Sequence, residues 1–137
     1  MTTLAVDKPR DFQLGEIEEY PVIATDIIYE GAAVGENGSG YARPLVAGDK
    51  FLGFAIAKVD NSTGAAGDKR VRVKTRGRIK LAVTSLAITD NDGVAVYASD
   101  DDTFVKAASG NSKIGWCSQY ISAGVGVVLF DAAALGA

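Results

Sequence analysis

The stretch Lys69-Arg-Val-Arg-Val-Lys-Thr-Arg-Gly-Arg-Ile-Lys80 constrains this chain more than any other. Arg70, Arg72, Lys74, Arg76, Arg78 and Lys80 take every even position, and Val71, Val73, Thr75, Gly77, Ile79 and Leu81 take the odd ones. A period of two is the signature of an extended strand, whose successive side chains point to opposite faces. One face is therefore expected in a core and the other to carry a row of cations, about 35 Å long if the strand is unbroken. Gly77 is the candidate for a bulge or bend that breaks it.

The remainder of the chain is acidic. Residues 1–68 carry 5 basic and 11 acidic side chains, residues 69–80 carry 7 basic and none acidic, and residues 81–137 carry 2 basic and 6 acidic. Half of all Lys and Arg thus sit in twelve residues. An acidic surface bearing one basic strip repels phosphate almost everywhere, which disfavours general nucleic-acid binding and favours contact with a patterned protein partner, including another copy of the chain. The strip also lacks any aromatic residue on which a base would stack.

A length of 137 residues fits one domain with one core. The single cysteine, Cys117, excludes an internal disulfide and, within the apolar run Ile114–Ile121, is expected to be buried and inert. Histidine is absent, which removes the commonest metal ligand and general base. The first residues lack the basic and apolar regions of a signal peptide, and no run approaches a membrane span, so synthesis and folding in a cytoplasm and no membrane partner are expected.

Residues 1–20 differ in character from the rest, with charges interspersed among isolated apolar side chains. Pro9 and Gly15 discourage a helix. The segment reads as an extended arm, against the alternative of a frayed terminus. Pro9, Arg10, Phe12, Leu14, Ile17 and Tyr20 are its candidate contact residues, because the spacing of Phe12, Leu14 and Ile17 suits docking as an added strand.

From Pro21 to Ala137 the chain reads as a single β domain of short strands separated by turn chemistry. Asn37-Gly38 is a hairpin signal, and Pro44 places its strand at a sheet edge. Phe51-Leu-Gly-Phe-Ala-Ile-Ala57 is apolar throughout, as in a strand covered on both faces. Asp60–Asp68 reads as a mobile surface loop, Thr89–Gly93 as an Asx turn, and Asp100, Asp101 and Asp102 as a solvated hairpin tip. Lys113–Ile121 and Val125–Phe130 complete the core. The absence of any sustained 3.6 period argues for an all-β fold, a small β-barrel or a jelly-roll-like sandwich with an extended N-terminal arm.

No nucleophile motif, phosphate loop or metal-ligand spacing is present, so neither catalysis nor a cofactor is expected. The charged contact face, Arg70, Arg72, Lys74, Arg76 and Arg78, is the principal candidate site. An oligonucleotide-binding β-barrel using residues 69–80 is the competing reading of the same strip, and a small oligomeric β enzyme of nucleotide metabolism a weaker third.

The order of Asp26-Ile-Ile-Tyr-Glu-Gly-Ala-Ala-Val-Gly35, Gly40-Tyr-Ala-Arg-Pro-Leu45, Phe51-Leu-Gly-Phe-Ala55, Val59-Asp-Asn-Ser62, Lys69-Arg-Val-Arg-Val73 and Val96-Tyr-Ala-Ser-Asp-Asp-Asp102 resembles the capsid cement, or decoration, proteins of tailed bacteriophages. The resemblance extends from about Asp11 to about Asp131 and rests on strand-and-glycine patterns, with no catalytic signature. It implies a small β subunit, dimeric or trimeric, on the exterior of a virion capsid. There it would bridge neighbouring major capsid protein subunits and stabilise the expanded head, after synthesis in the host bacterial cytoplasm. The family has no active-site residues to carry over.

Overall fold

The computed structural model describes residues 5–6 and 15–133. Three antiparallel sheets pack into an open sandwich. The first sheet contains, in spatial order, β1 (Ile17–Pro21), β7 (Arg70–Lys74), β5 (Lys50–Ala55), β3 (Ala33–Glu36) and β4 (Ala42–Pro44). The second contains β10 (Phe104–Val105), β9 (Ala95–Ala98), β11 (Ser112–Ser122), β12 (Val125–Asp131) and β8 (Arg76–Ala82). A two-stranded sheet of β2 (Asp26–Ile28) and β6 (Val59–Asn61) lies over the first.

Two apolar clusters follow from this layering. Between the two large sheets, Phe51 and Phe54 of β5 meet Phe104, Ile114, Val128 and Phe130. The Phe54 and Phe130 rings stand edge to face with centroids 4.9 Å apart, the arrangement that aromatic quadrupoles favour. On the other face of the first sheet, Leu52 and Ala55 of the same strand join Val34, Val71, Val73 and Ile28. The apolar run at residues 51–55 is thus covered on both faces, and Cys117 lies buried in the first cluster.

The expected sandwich is present and the alternative barrel is not, because neither large sheet closes on itself. Isolated bridges between Val22 and Ala42 and between Val83 and Phe104 draw edges together at single residues without building a ladder. The Asn37-Gly38 turn joins β3 to β4 as expected, and Pro44 stands on the terminal strand of the first sheet. The loop after Asp60 departs from expectation. Asn61 at its start is buried, and its amide donates to the carbonyls of Ile23 and Ala65 at 2.8 and 3.0 Å, which ties both sides of the loop to the body.

The basic stretch is two strands in two sheets. The break falls at Thr75, which is buried and serves both sheets. Its N–H donates to the Glu16 carbonyl at 2.7 Å, extending the β1–β7 register, while its own carbonyl accepts from Ala132 N–H at 2.8 Å, extending the β8–β12 register. Gly77 follows with φ +146°, a value that side-chain-bearing residues rarely adopt, so the chain bends there as it enters the second sheet.

The described sheet also starts earlier than the change in composition at Pro21. Ile17–Pro21 pairs with β7 along its whole length, from Ile17 opposite Lys74 to Pro21 opposite Arg70. These five residues are a sheet edge rather than part of a free arm.

Candidate interaction surface

The alternation of β7 and β8 sorts their side chains as expected. Val71 and Val73 are fully buried, Ile79 and Leu81 pack against the first cluster, and Arg70, Arg72, Lys74, Arg76, Arg78 and Lys80 are all exposed. The cations therefore form one outward row that passes from the first sheet to the second through Thr75. In the first sheet β1 and β5 flank β7, and in the second β12 holds β8 along one side.

Part of the row is matched within the chain. Arg72 Nε lies 3.6 Å from Glu19 Oε2, and Lys74 Nζ lies 3.6 Å from Glu16 Oε2. Both pairs are about half exposed, so solvent screens them and they contribute little to stability. Among the described residues, Arg70, Arg76, Arg78 and Lys80 make no ion pair. These four are the cations left for a partner.

Cross-strand register adds an aromatic residue that the basic stretch itself lacks. Leu129 of β12 lies opposite Arg78 on one side and opposite Trp116 of β11 on the other, so Arg78, Leu129 and Trp116 form one row across the outer face of the second sheet. Lys113 Nζ sits 4.7 Å from the centre of the Trp116 ring, a cation–π contact. A concavity of about 400 Å³ opens here, lined by the cations Lys74, Arg76 and Arg78, by Trp116 and Leu129, and by the carboxylates Glu16 and Asp131. Adjacency to Cys117 signals the direction of Trp116 in the sequence: if Cys117 points inward, its neighbour points outward.

The arm residues separate into two groups. Pro9, Arg10, Phe12 and Leu14 lie outside the described residues. Ile17 and Tyr20 belong to β1, opposite Lys74 and Val71. Tyr20 packs against the second apolar cluster, and burial, helped by the Glu18 carboxylate, pushes its phenol pKa upward. Its ring packs in the sheet and is partly exposed.

A second concavity, of about 470 Å³, has the opposite character, being lined by Tyr29, Glu30, Gly31, Ala32, Asp101 and Asp102. The hairpin tip is less uniformly solvated than its sequence suggests. Burial, reinforced by the charges of Asp100 and Asp102, raises the Asp101 pKa, whereas the Asp102 N–H donates to Asp100 and lowers that of Asp100. Among the described residues no cluster of three or more His, Cys, Asp or Glu side chains is arranged to hold a metal ion, and no helix is long and apolar enough to cross a membrane. No protein-family model matches the chain, and no curated protein is significantly similar to it.

Proposed function

We propose that this protein is a structural, non-enzymatic component of a phage virion, which binds the outer surface of the capsid and cements neighbouring major capsid protein subunits. The observation that carries the proposal is the outward cation row: rigid, one-sided and only partly neutralised by its own chain, on a protein that is acidic elsewhere. Such a surface suits a fixed pattern of carboxylates on a protein better than a diffusing substrate, because guanidinium groups held on strands meet carboxylates in a defined geometry. The order of motifs shared with the decoration proteins supports the same reading.

A homo-oligomer, dimeric or trimeric, fits this role. Several copies bound as one unit engage several capsid sites together, and each later contact is effectively intramolecular. The acidic concavity around Asp101 and Asp102 offers a sister subunit a complement to the basic row. The test is co-sedimentation with expanded heads of the same virion that lack the protein. Replacing Arg76 and Arg78 by Glu leaves the internal pairs of Arg72 and Lys74 untouched, so the variant should fold normally and bind at least about tenfold more weakly, with the loss most marked at low salt. Unchanged affinity would remove the row from the mechanism.

The second reading is single-stranded oligonucleotide binding, favoured by one specific observation: Trp116 stands in the same row as Arg78 and could stack a base. Glu16, Glu19 and Asp131 around the same surface oppose it. Affinity for a single-stranded oligonucleotide that falls steeply with salt and is lost on Trp116→Ala would support this reading, and no binding at low salt would exclude it.

A further inference from the structure

The register of β8 against β12 determines which way each backbone group of β8 points. In an antiparallel pair, residues that exchange hydrogen bonds with the partner strand alternate with residues whose N–H and C=O point away from it. The β8–β12 pairing places Ala82 opposite Val125 and Arg76 opposite Asp131. In the same register, the Thr75 carbonyl accepts from Ala132 N–H, and the Val83 N–H donates to the Gly124 carbonyl, each at 2.8 Å. Residues 75 and 83 therefore face β12, and by parity so do 77, 79 and 81. Arg76, Arg78, Lys80 and Ala82 turn their N–H and C=O groups to the opposite side.

That opposite side is the end of the sheet, since β8 is its terminal strand. Among the described residues no backbone hydrogen bond satisfies the outward groups of Arg76, Arg78, Lys80 or Ala82. Cover comes just beyond the two strand ends, where the Thr75 N–H donates to the Glu16 carbonyl and the Thr84 N–H to the Phe104 carbonyl. The other ends of the large sheets are shorter or partly bridged: β10 has two residues, β4 has three and bridges Val22, and β1 has five. Among the described residues, the seven of β8 make the longest terminal strand of the two large sheets.

We propose that this edge is an acceptor site for an extended strand of another protein, carrying carboxylates at alternate positions on one face and apolar side chains on the other. The cations select the outer face of the incoming strand, because residues directly opposite Arg76, Arg78 and Lys80 share their side of the sheet. The inner face is selected by Ile79 and Leu81, which pack against the core but are only partly covered. A strand laid beside β8 completes that cover with its own apolar residues. Another β8 from a second copy is the wrong occupant: pairing even residues with even residues sets arginines and lysines opposite one another, and like charges directly opposite destabilise a ladder. The inference rests on register and charge and does not depend on the capsid reading.

The test uses the full chain, labelled with nitrogen-15, and two blocked heptapeptides, Val-Glu-Val-Glu-Val-Glu-Val and its lysine counterpart. Amide hydrogen exchange reads the backbone directly. In the free protein the amides of residues 77, 79 and 81 should exchange slowly and those of Arg76, Arg78 and Lys80 quickly. With about nine-tenths of the protein bound to the glutamate peptide, exchange at Arg76, Arg78 and Lys80 should slow by about tenfold, and the lysine peptide should have no effect. Arg78→Pro removes one outward donor while sparing the β12 ladder, and should weaken binding by about tenfold. If that variant fails to fold, replacing Arg76 and Arg78 by Glu supplies the check, since it should turn the preference toward the lysine peptide. Three results would overturn the proposal: amides at 76, 78 and 80 already protected in the free protein, glutamate-peptide binding that leaves their exchange unchanged, or no binding. The first would mean that the chain's own N-terminal segment or a second copy covers the edge, and the second that charge alone attracts the peptide.

Discussion

Asn61 shows how much a single side chain does here that its local sequence conceals. It sits in a run of small polar residues that reads as a surface loop, yet it is buried and its amide holds the carbonyls of Ile23 and Ala65. The glycine at position 64 is needed beside it, because a Cβ there would overlap Asn61 Oδ1. Replacing Asn61 by Leu takes the donor from the Ile23 carbonyl and leaves the Ala65 carbonyl only the Asp68 N–H, and urea unfolding should show a loss of about 1 kcal/mol. A loss within the error of the measurement would mean that the loop is not anchored as described. Nothing in the residues around Asn61 marks it, since burial of an asparagine depends on distant carbonyls that the fold brings to it. Cys117 is the contrary case: its apolar neighbours correctly predict burial, and that burial raises its thiol pKa.

Between elements, alternation tells faces but not partners. The period of two in residues 70–82 correctly separates Val71, Val73, Ile79 and Leu81 from the cations, and the apolar run at residues 51–55 of β5 correctly reads as covered on both sides. Alternation does not reveal that the basic stretch divides at Thr75, because the cause lies in hydrogen bonds to Glu16 and Ala132, 59 and 57 positions away in the chain. Nor does it reveal that β1 pairs with β7, or that Trp116 stands beside Arg78 across β12. Another tie between elements is open to a pH test. Asp90 accepts from Lys106 Nζ at 2.9 Å and from the Ala87 N–H at 2.8 Å, joining the turn at Ile88–Asp92 to the segment after β10. The Lys106 ammonium first, and the Ala87 N–H second, hold its carboxyl below the ordinary carboxylate range. A lowered folded-state pKa contributes stability in full above the unfolded value and loses it as pH falls through the folded value. Asp90→Asn should therefore be less stable than the parent at neutral pH, and the gap should close on acidification through the carboxylate range. A gap independent of pH would show that the charge of Asp90 is irrelevant.

For the whole molecule, the legible features were the all-β class and the concentration of cations. What one chain's alternation could not convey was where the cations end up: the chain passes from one sheet into the other at Thr75, so one outward row crosses both, with Arg70, Arg76, Arg78 and Lys80 left unpaired among the described residues. A rigid row of this kind is suited to holding surfaces together, and cementing is a statement about the stability of the assembled head. A protein that binds the expanded head and not its ruptured form must stabilise the former by mass action. The most direct measurement is thus the rupture temperature of expanded heads of the same virion, prepared without the protein and titrated with the full chain. A saturable rise in that temperature, abolished when Arg76 and Arg78 are replaced by Glu, is the expected result. Saturated binding that leaves the rupture temperature unchanged, or no binding to expanded heads, would contradict the proposed function.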